Sequence, residues 1–500
     1  MLTTFTAPAF AGTWYIEDGD ITISAGESGN NVTQNENTTK NDTDTIITNR
    51  EEGASSHTVT IDAKDKDDKV EVTLKDVNID TSKQSKAAVS VTGSGDTTIE
   101  LDGDNELKSG DRHAGLEHNQ TVDSEGNVTS GKLTIQDDND NAGSLTATSG
   151  YFGAGIGGGS AKAGQVTITG GTITAISGDG AGIGGGQGNM GSNAGNADIE
   201  ISGGTIEATG GYTSAGIGGG YYGDATIKIT GDAVIKNATG GTFGAGIGGG
   251  GGGNGDVTIS GNAKIENAQG GYAGSGIGGG YGASGTVTIK DDSTVTATGG
   301  EAGAGIGGGV GGLADVTIEG NATVNAIGGV GSAGIGGGYD AENDEDDGNG
   351  NQISIKSNES GAPTVNATGG ESSIDKKTGE KIPGGAGIGS GAGDAKANIT
   401  LEGKVTIVAK AGEGNAAIGD MNGEQVFTGL DGSITRYDSE GNDTTLPTDP
   451  GYPVPADTSS SGGGSAGASV QESVFPGLIV TDKDGQRISY TSIRGNNVLS

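Results

Sequence analysis

The feature that most constrains this chain is a seven-residue block, Gly-Ala-Gly-Ile-Gly-Gly-Gly, first complete at Gly153 to Gly159 and then repeated. Its central isoleucine recurs as Ile156, Ile183, Ile217, Ile247, Ile277, Ile306, Ile335 and Ile388, with a worn copy at Ile418. The steps are 27, 34, 30, 30, 29, 29, 53 and 30 residues, so one unit of about thirty residues is stacked on itself. Such a chain builds a repeat architecture in which each unit contacts its neighbours, not a set of compact domains.

Every unit contains three short segments of alternating character. Val166-Thr-Ile168-Thr is followed, after a glycine corner, by Gly171-Thr-Ile-Thr-Ala175 and then by Ala181-Gly-Ile183. Strands of four or five residues with period two, bounded by glycine and asparagine, predict an all-β parallel β-helix with three strands per coil. At the inter-strand spacing, about 12 coils give a rod of roughly 55 to 60 Å. Alternation directs Val166, Ile168, Ile173 and Ile183 inward, as it does Val257, Ile259, Ile265 and Ile277. In the third strand the inward partner of the isoleucine is an alanine (Ala154, Ala181, Ala215, Ala245, Ala304, Ala333, Ala386), exchanged once for Ser275. The same alternation turns Gly276 and Gly278 outward as part of a bare stripe, and assigns corner turns with positive φ to Gly279 and Gly280.

The chain divides accordingly. Residues 1–11 end in Ala9-Phe10-Ala11, the small-x-small form of a signal peptidase site, and read as a signal-peptide remnant. Residues 12–445 are the β-helix: glycine-poor N-terminal coils over 12–143, the glycine-rich array over 144–420 and a C-terminal cap over 421–445. Residues 446–470 form a proline-rich, then Gly/Ser, linker. Residues 471–500 begin a truncated β-module, with a hairpin of Leu478 to Gly485 and Ile488 onward. Trp14, the one tryptophan, is expected to plug the first coil.

Composition excludes several functions. The 107 glycines have no Gly-X-Y period, so the chain is not collagen. A net charge of -38 repels phosphate backbones, which argues against nucleic acid. No cysteine is present, so there is no disulfide framework or thiol metal site, in keeping with a secreted bacterial protein. No stretch approaches the ~20 apolar residues of a membrane span. Three histidines, His57, His113 and His118, leave little for nucleophilic or acid–base catalysis, and His113 and His118 read as exposed turn residues. Polysaccharide lyases use a parallel β-helix and an arginine or lysine base; Arg112 is the one arginine in a coil-forming region with acidic neighbours, where a structural salt bridge is the alternative.

Two constellations point to binding. Nine aromatic residues lie four or five positions from a block isoleucine: Tyr151, Phe152, Tyr212, Phe243 and Tyr272 before it, and Tyr221, Tyr222, Tyr281 and Tyr339 after it. They would line the two margins of a glycine face, forming either a groove on which sugars stack or a ladder that seals the turns. The second constellation is Asp340, Glu342, Asp344, Asp346 and Asp347, whose oxygens suit calcium or simply make a solvated acidic loop.

The chain from Ile16 to Asp420 resembles the glycine-rich parallel β-helix proteins of clostridia and related gut bacteria that are labelled carbohydrate-binding. Asp18-Gly-Asp-Ile-Thr-Ile23, Val72-Thr-Leu-Lys-Asp-Val-Asn-Ile79, and Ile201 to Gly211 leading to Ala-Gly-Ile-Gly-Gly-Gly carry the resemblance. It implies a right-handed helix, calcium, a secreted or cell-surface location and binding of plant-type or acidic polysaccharide. The expectation is therefore a non-catalytic, polysaccharide-binding β-helix with its glycan along the glycine face. The alternatives are a structural stalk or adhesin that displays a C-terminal module, and a lyase.

Overall fold

The computed structural model describes residues 10–139, 141–188, 195–343, 350–376 and 378–453, together with the backbone of two short strands near residue 495. Residues 12–453 form a β-solenoid of about 14 turns whose strands are mostly parallel. At one turn per inter-strand spacing its length is roughly 65 Å.

Each glycine-rich coil has three sides. Taking one coil, the first side is Gly255–Ile259, the second Lys264–Gln269 and the third the two-residue strand Ile277–Gly278. Like stacks on like from coil to coil: Val257 on Val287, Ile265 on Val295, Ile277 on Ile306. The inward residues expected from alternation, including every third-side alanine and Ser275, are buried in this column. Each isoleucine so buried contributes about 1.5–3 kcal/mol relative to exposure, which lets a core with few aromatics hold. Ser275 is accommodated because its hydroxyl donates to the Gly279 carbonyl at 2.9 Å.

The ends are closed by antiparallel pieces. At the N-terminal end Asn30–Gln34 pairs antiparallel with Ile21–Ala25 and with Asn37–Thr48. Trp14 packs against the core there, its indole N–H donating to the buried Asp42 at 2.8 Å. At the C-terminal end Ile418–Asp420 turns back antiparallel on Gly423–Glu424. Behind it Arg436, fully buried, donates to both oxygens of Asp449 at 2.7 and 3.0 Å and pairs with Glu424. A buried guanidinium needs such partners, because removing either would leave the other charge unpaired in an apolar end.

Asp449 also holds the segment that follows the cap. Leu446 to Pro450, read from the sequence as the start of a linker, is anchored in this cap: Leu446 N–H donates to Asp449 and Ile434 N–H to the Pro450 carbonyl, both at 3.0 Å. Residues 454–470 of the expected linker, residues 1–9 and residues 478–490 of the expected hairpin lie outside the described residues. Thr491–Ile493 and Asn496–Val498 pair antiparallel with each other.

Candidate functional site

The site is set by how the glycine block folds. From Ile156 to Ile388, the N–H two residues before each isoleucine donates to the carbonyl two residues after it, as in Ala245 to Gly249 and Ala333 to Gly337, both at 3.0 Å. The glycine following the isoleucine makes this reversal possible, with φ +130 at Gly278, +141 at Gly248 and +129 at Gly307. Side chains other than glycine rarely adopt that conformation.

This geometry corrects the outward stripe. The whole of Gly274 to Gly280 is buried, so this block offers no glycine platform to solvent. A Cβ on Gly276 would lie 2.6 Å from the Gly305 carbonyl oxygen and 2.8 Å from the Thr298 backbone. Gly276 is thus pressed against the end of the second side, and Gly278, not Gly279 or Gly280, carries the positive φ. Period two stops at the isoleucine because the chain turns there.

The same reversal brings the two expected margins together. The segment after one block pairs with the segment before the previous one: Tyr281 N–H donates to Phe243 O at 2.8 Å, Val310 to Ala273 at 3.0 Å and Tyr339 to Ala302 at 3.3 Å. Aromatic residues from both flanks therefore share one corner of the rod. Phe243 packs edge-on against Tyr212 at 5.6 Å between centroids and against Tyr281 at 5.5 Å. Tyr221 lies over Tyr222 at 4.0 Å, its hydroxyl donating to that of Tyr222, which raises the Tyr221 pKa. Tyr151 and Phe152 make a looser pair at 6.2 Å. Tyr151, Tyr212, Tyr272 and Tyr281 remain half or more exposed, at 61%, 59%, 55% and 50%.

Two concavities use these rings. Phe243, Tyr272, Tyr281 and Tyr339 line a pocket of about 420 Å³, whose far wall is Ser373 to Lys376 and Ile382. That wall is the 371–383 insertion, folded as a small hairpin of Ser373–Ile374 and Lys381–Ile382. The hairpin is tied to the next coil by Glu413, which pairs with Lys381 and accepts from Ser372 at 2.7 Å. The second concavity, about 560 Å³, is a groove along the rod axis over four successive coils. Its floor is the run of Gly-Gly corners at 270, 299–300, 328–329 and 369–370. One wall is the end of the second side, Gln269, Thr298, Ile327 and Thr368; the other is the residue after each corner, Tyr272, Glu301, Val330 and Glu371. Tyr272, Glu301 and Val330 also face the aromatic pocket, so they form the ridge between the two. The Tyr151–Phe152 and Tyr221–Tyr222 pairs line neither. Sequence reasoning missed the groove, although the Gly-Gly pairs and the large residues after them recur at coil spacing.

Of the expected calcium ligands, Asp340 is exposed and donates its N–H to the Ala392 carbonyl at 2.9 Å, and Glu342 is exposed nearby in the chain. Asp344, Asp346 and Asp347 lie outside the described residues. Among the described residues no group of three or more carboxylate or imidazole side chains is placed to hold a metal ion.

The histidines also differ from expectation. His118 is buried, its Nε2 2.9 Å from the Gly131 carbonyl and its Nδ1 3.3 Å from that of Val91. Burial pushes its pKa below the usual imidazole value, against the opposing pull of the two carbonyls. His113 is held by Glu117 at 2.8 Å. Arg112 is exposed and takes part in none of the ion pairs found among the described residues; its backbone, at φ 72, bonds to Tyr151 and Ser160.

The Beta helix repeat family model matches residues 141–160, 166–187, 199–221, 287–310 and 316–339. All five matches end one residue past the last glycine of a block, so the matched unit closes where the structural reversal does. The chain is a parallel β-helix protein. No curated protein and no solved structure matches it. No helix among the described residues is long and apolar enough to cross a membrane.

Proposed function

We propose that this β-helix is a non-catalytic, secreted or cell-surface polysaccharide-binding protein, its glycan lying along the Gly-Gly corner groove beside the aromatic ridge. The observation that carries the reading is Tyr272, 55% exposed on the shared wall of two concavities, above a floor of backbone that has no side chains to obstruct a flat ring. Sugars bind through stacking of their CH faces on such rings and through hydrogen bonds to their hydroxyls, for which Thr298, Thr368 and Gln269 stand opposite. The coil repeat of about 4.8 Å sets one glycine corner and one wall residue at each step, as a polymeric ligand requires.

The experiment is retention of the full chain on a panel of soluble and insoluble polysaccharides, with and without calcium. Tyr272→Ala with Tyr281→Ala should weaken retention roughly tenfold. Thermal unfolding should stay nearly unchanged, because both rings are half exposed. A matching loss of fold would show the rings to be structural. Retention on no glycan would favour the rod as a stalk or adhesin.

A further inference from the structure

We propose that the corner groove selects glycans carrying protonated amino sugars, of the β-linked glucosamine type, over neutral and uronic-acid polymers. This rests on the glycan-binding reading and names its ligand class. The wall column reads Tyr272, Glu301, Val330, Glu371 on four successive coils, alternating apolar and acidic at every step. No Lys, Arg or His lines the groove. Adjacent steps are about 4.8 Å apart, so the two carboxylates are separated by about 9 to 10 Å.

An extended β-linked glycan advances by a similar length per sugar and turns each ring over relative to the last. Every second sugar then presents the same edge to the wall. A chain lying in the groove would set its ring faces against Tyr272 and Val330, and the amines of the intervening sugars against Glu301 and Glu371. A uronate polymer would place its own carboxylates there, beside a protein of net charge -38. The acidic polysaccharide implied by the family resemblance is thus the class this wall opposes.

The test is calorimetric titration of the full chain with a glucosamine tetramer and its N-acetylated counterpart, at mildly acidic pH where the free amines are protonated. The free-amine tetramer is expected to bind about tenfold more tightly, the sum of two exposed ion pairs. Glu301→Gln with Glu371→Gln should erase that preference by weakening the free-amine tetramer about tenfold more than the N-acetylated one. Asp198→Asn with Asp256→Asn removes the same charge from the outer face of the first side, where both residues are exposed, and should preserve the preference. Equal binding of the two tetramers overturns the proposal while leaving a glycan groove in place. A preference that falls equally in both double variants overturns it as non-specific attraction to a polyanion. Binding of neither tetramer, with no retention on any polysaccharide, removes the glycan reading as well.

Discussion

The third side of the coil is built in two ways in this molecule. In the N-terminal coils it is an ordinary strand, Val89–Gly93 and then Leu116–His118, with Ser90 and Glu117 in the register position that Gly157 takes one coil later. From Ile156 onward it shrinks to Ile-Gly and reverses at once. The coil at Leu116 already prefigures the change. Its Ala114 N–H, which in the array would donate to a glycine carbonyl, donates to the Glu117 carboxylate at 3.1 Å. At the far end of the array the Glu424 carboxylate accepts from Ala417 and Ile418, at 2.6 and 3.1 Å, two amides whose counterparts within the array donate to carbonyls of the next coil. Glycine is therefore not what makes a coil. It folds the third side back so that both flanks meet at one corner, and there the aromatic pocket and the groove appear.

The largest effect that separates the two constructions is expected from valine at equivalent positions. Gly278→Val combines a conformation that valine avoids with a Cβ driven into the Gly307 carbonyl, and should cost about 4 kcal/mol or more. Ser90 is half-exposed on a regular strand beside Thr60 and Glu117, so Ser90→Val should change stability by less than about 1 kcal/mol. Chemical unfolding of the two variants beside the parent decides the matter. If the glycine variant were as stable as the serine variant, the reversal would not depend on glycine.

Much of this contrast was legible in the sequence. The inward Ile, Val and Ala columns follow from alternation, and the coil length from the recurrence of the block. The outward glycine stripe was misread because period two was carried past Ile277, where φ +130 at Gly278 ends it. Two margins were expected where the chain makes one corner, for the same reason. His118 and Arg436 could not be read as buried. What covers them, the excursion around Gly131 and the segment at Asp449, each 13 residues further on, carries no strand alternation that would mark it as part of a coil.

A smaller effect concerns the carboxylate that stands in for a carbonyl. Glu117→Ala leaves the buried Ala114 N–H without its acceptor and should cost about 1–3 kcal/mol. Glu117→Gln keeps an oxygen in place and should recover more than half of that. Hydrogen exchange at the Ala114 amide gives a local readout, and rescue by glutamine separates the lost acceptor from a general packing defect. Equal losses in both variants would mean that the negative charge, not the acceptor, is what this coil needs.

The smallest effect belongs to the neighbouring His118, and it distinguishes the strand-like third side from the Ile-Gly form, which has no titratable group. Burial lowers the folded-state pKa of His118 below the ordinary imidazole value of about 6.5. The unfolded chain therefore binds a proton first as pH falls. The stability that neutral His118 contributes is fully present above about 6.5, declines as pH falls from there toward its folded pKa, and changes no further below it. The shorter of its two carbonyl contacts is 2.9 Å, from Nε2 to Gly131. His118→Gln keeps a donor for that carbonyl and removes the titration, so its unfolding free energy should lack this decline. A parent protein whose stability near neutral pH runs parallel to that of the glutamine variant would show that the ring is protonated equally in both states. The third side would then add no pH dependence in either construction.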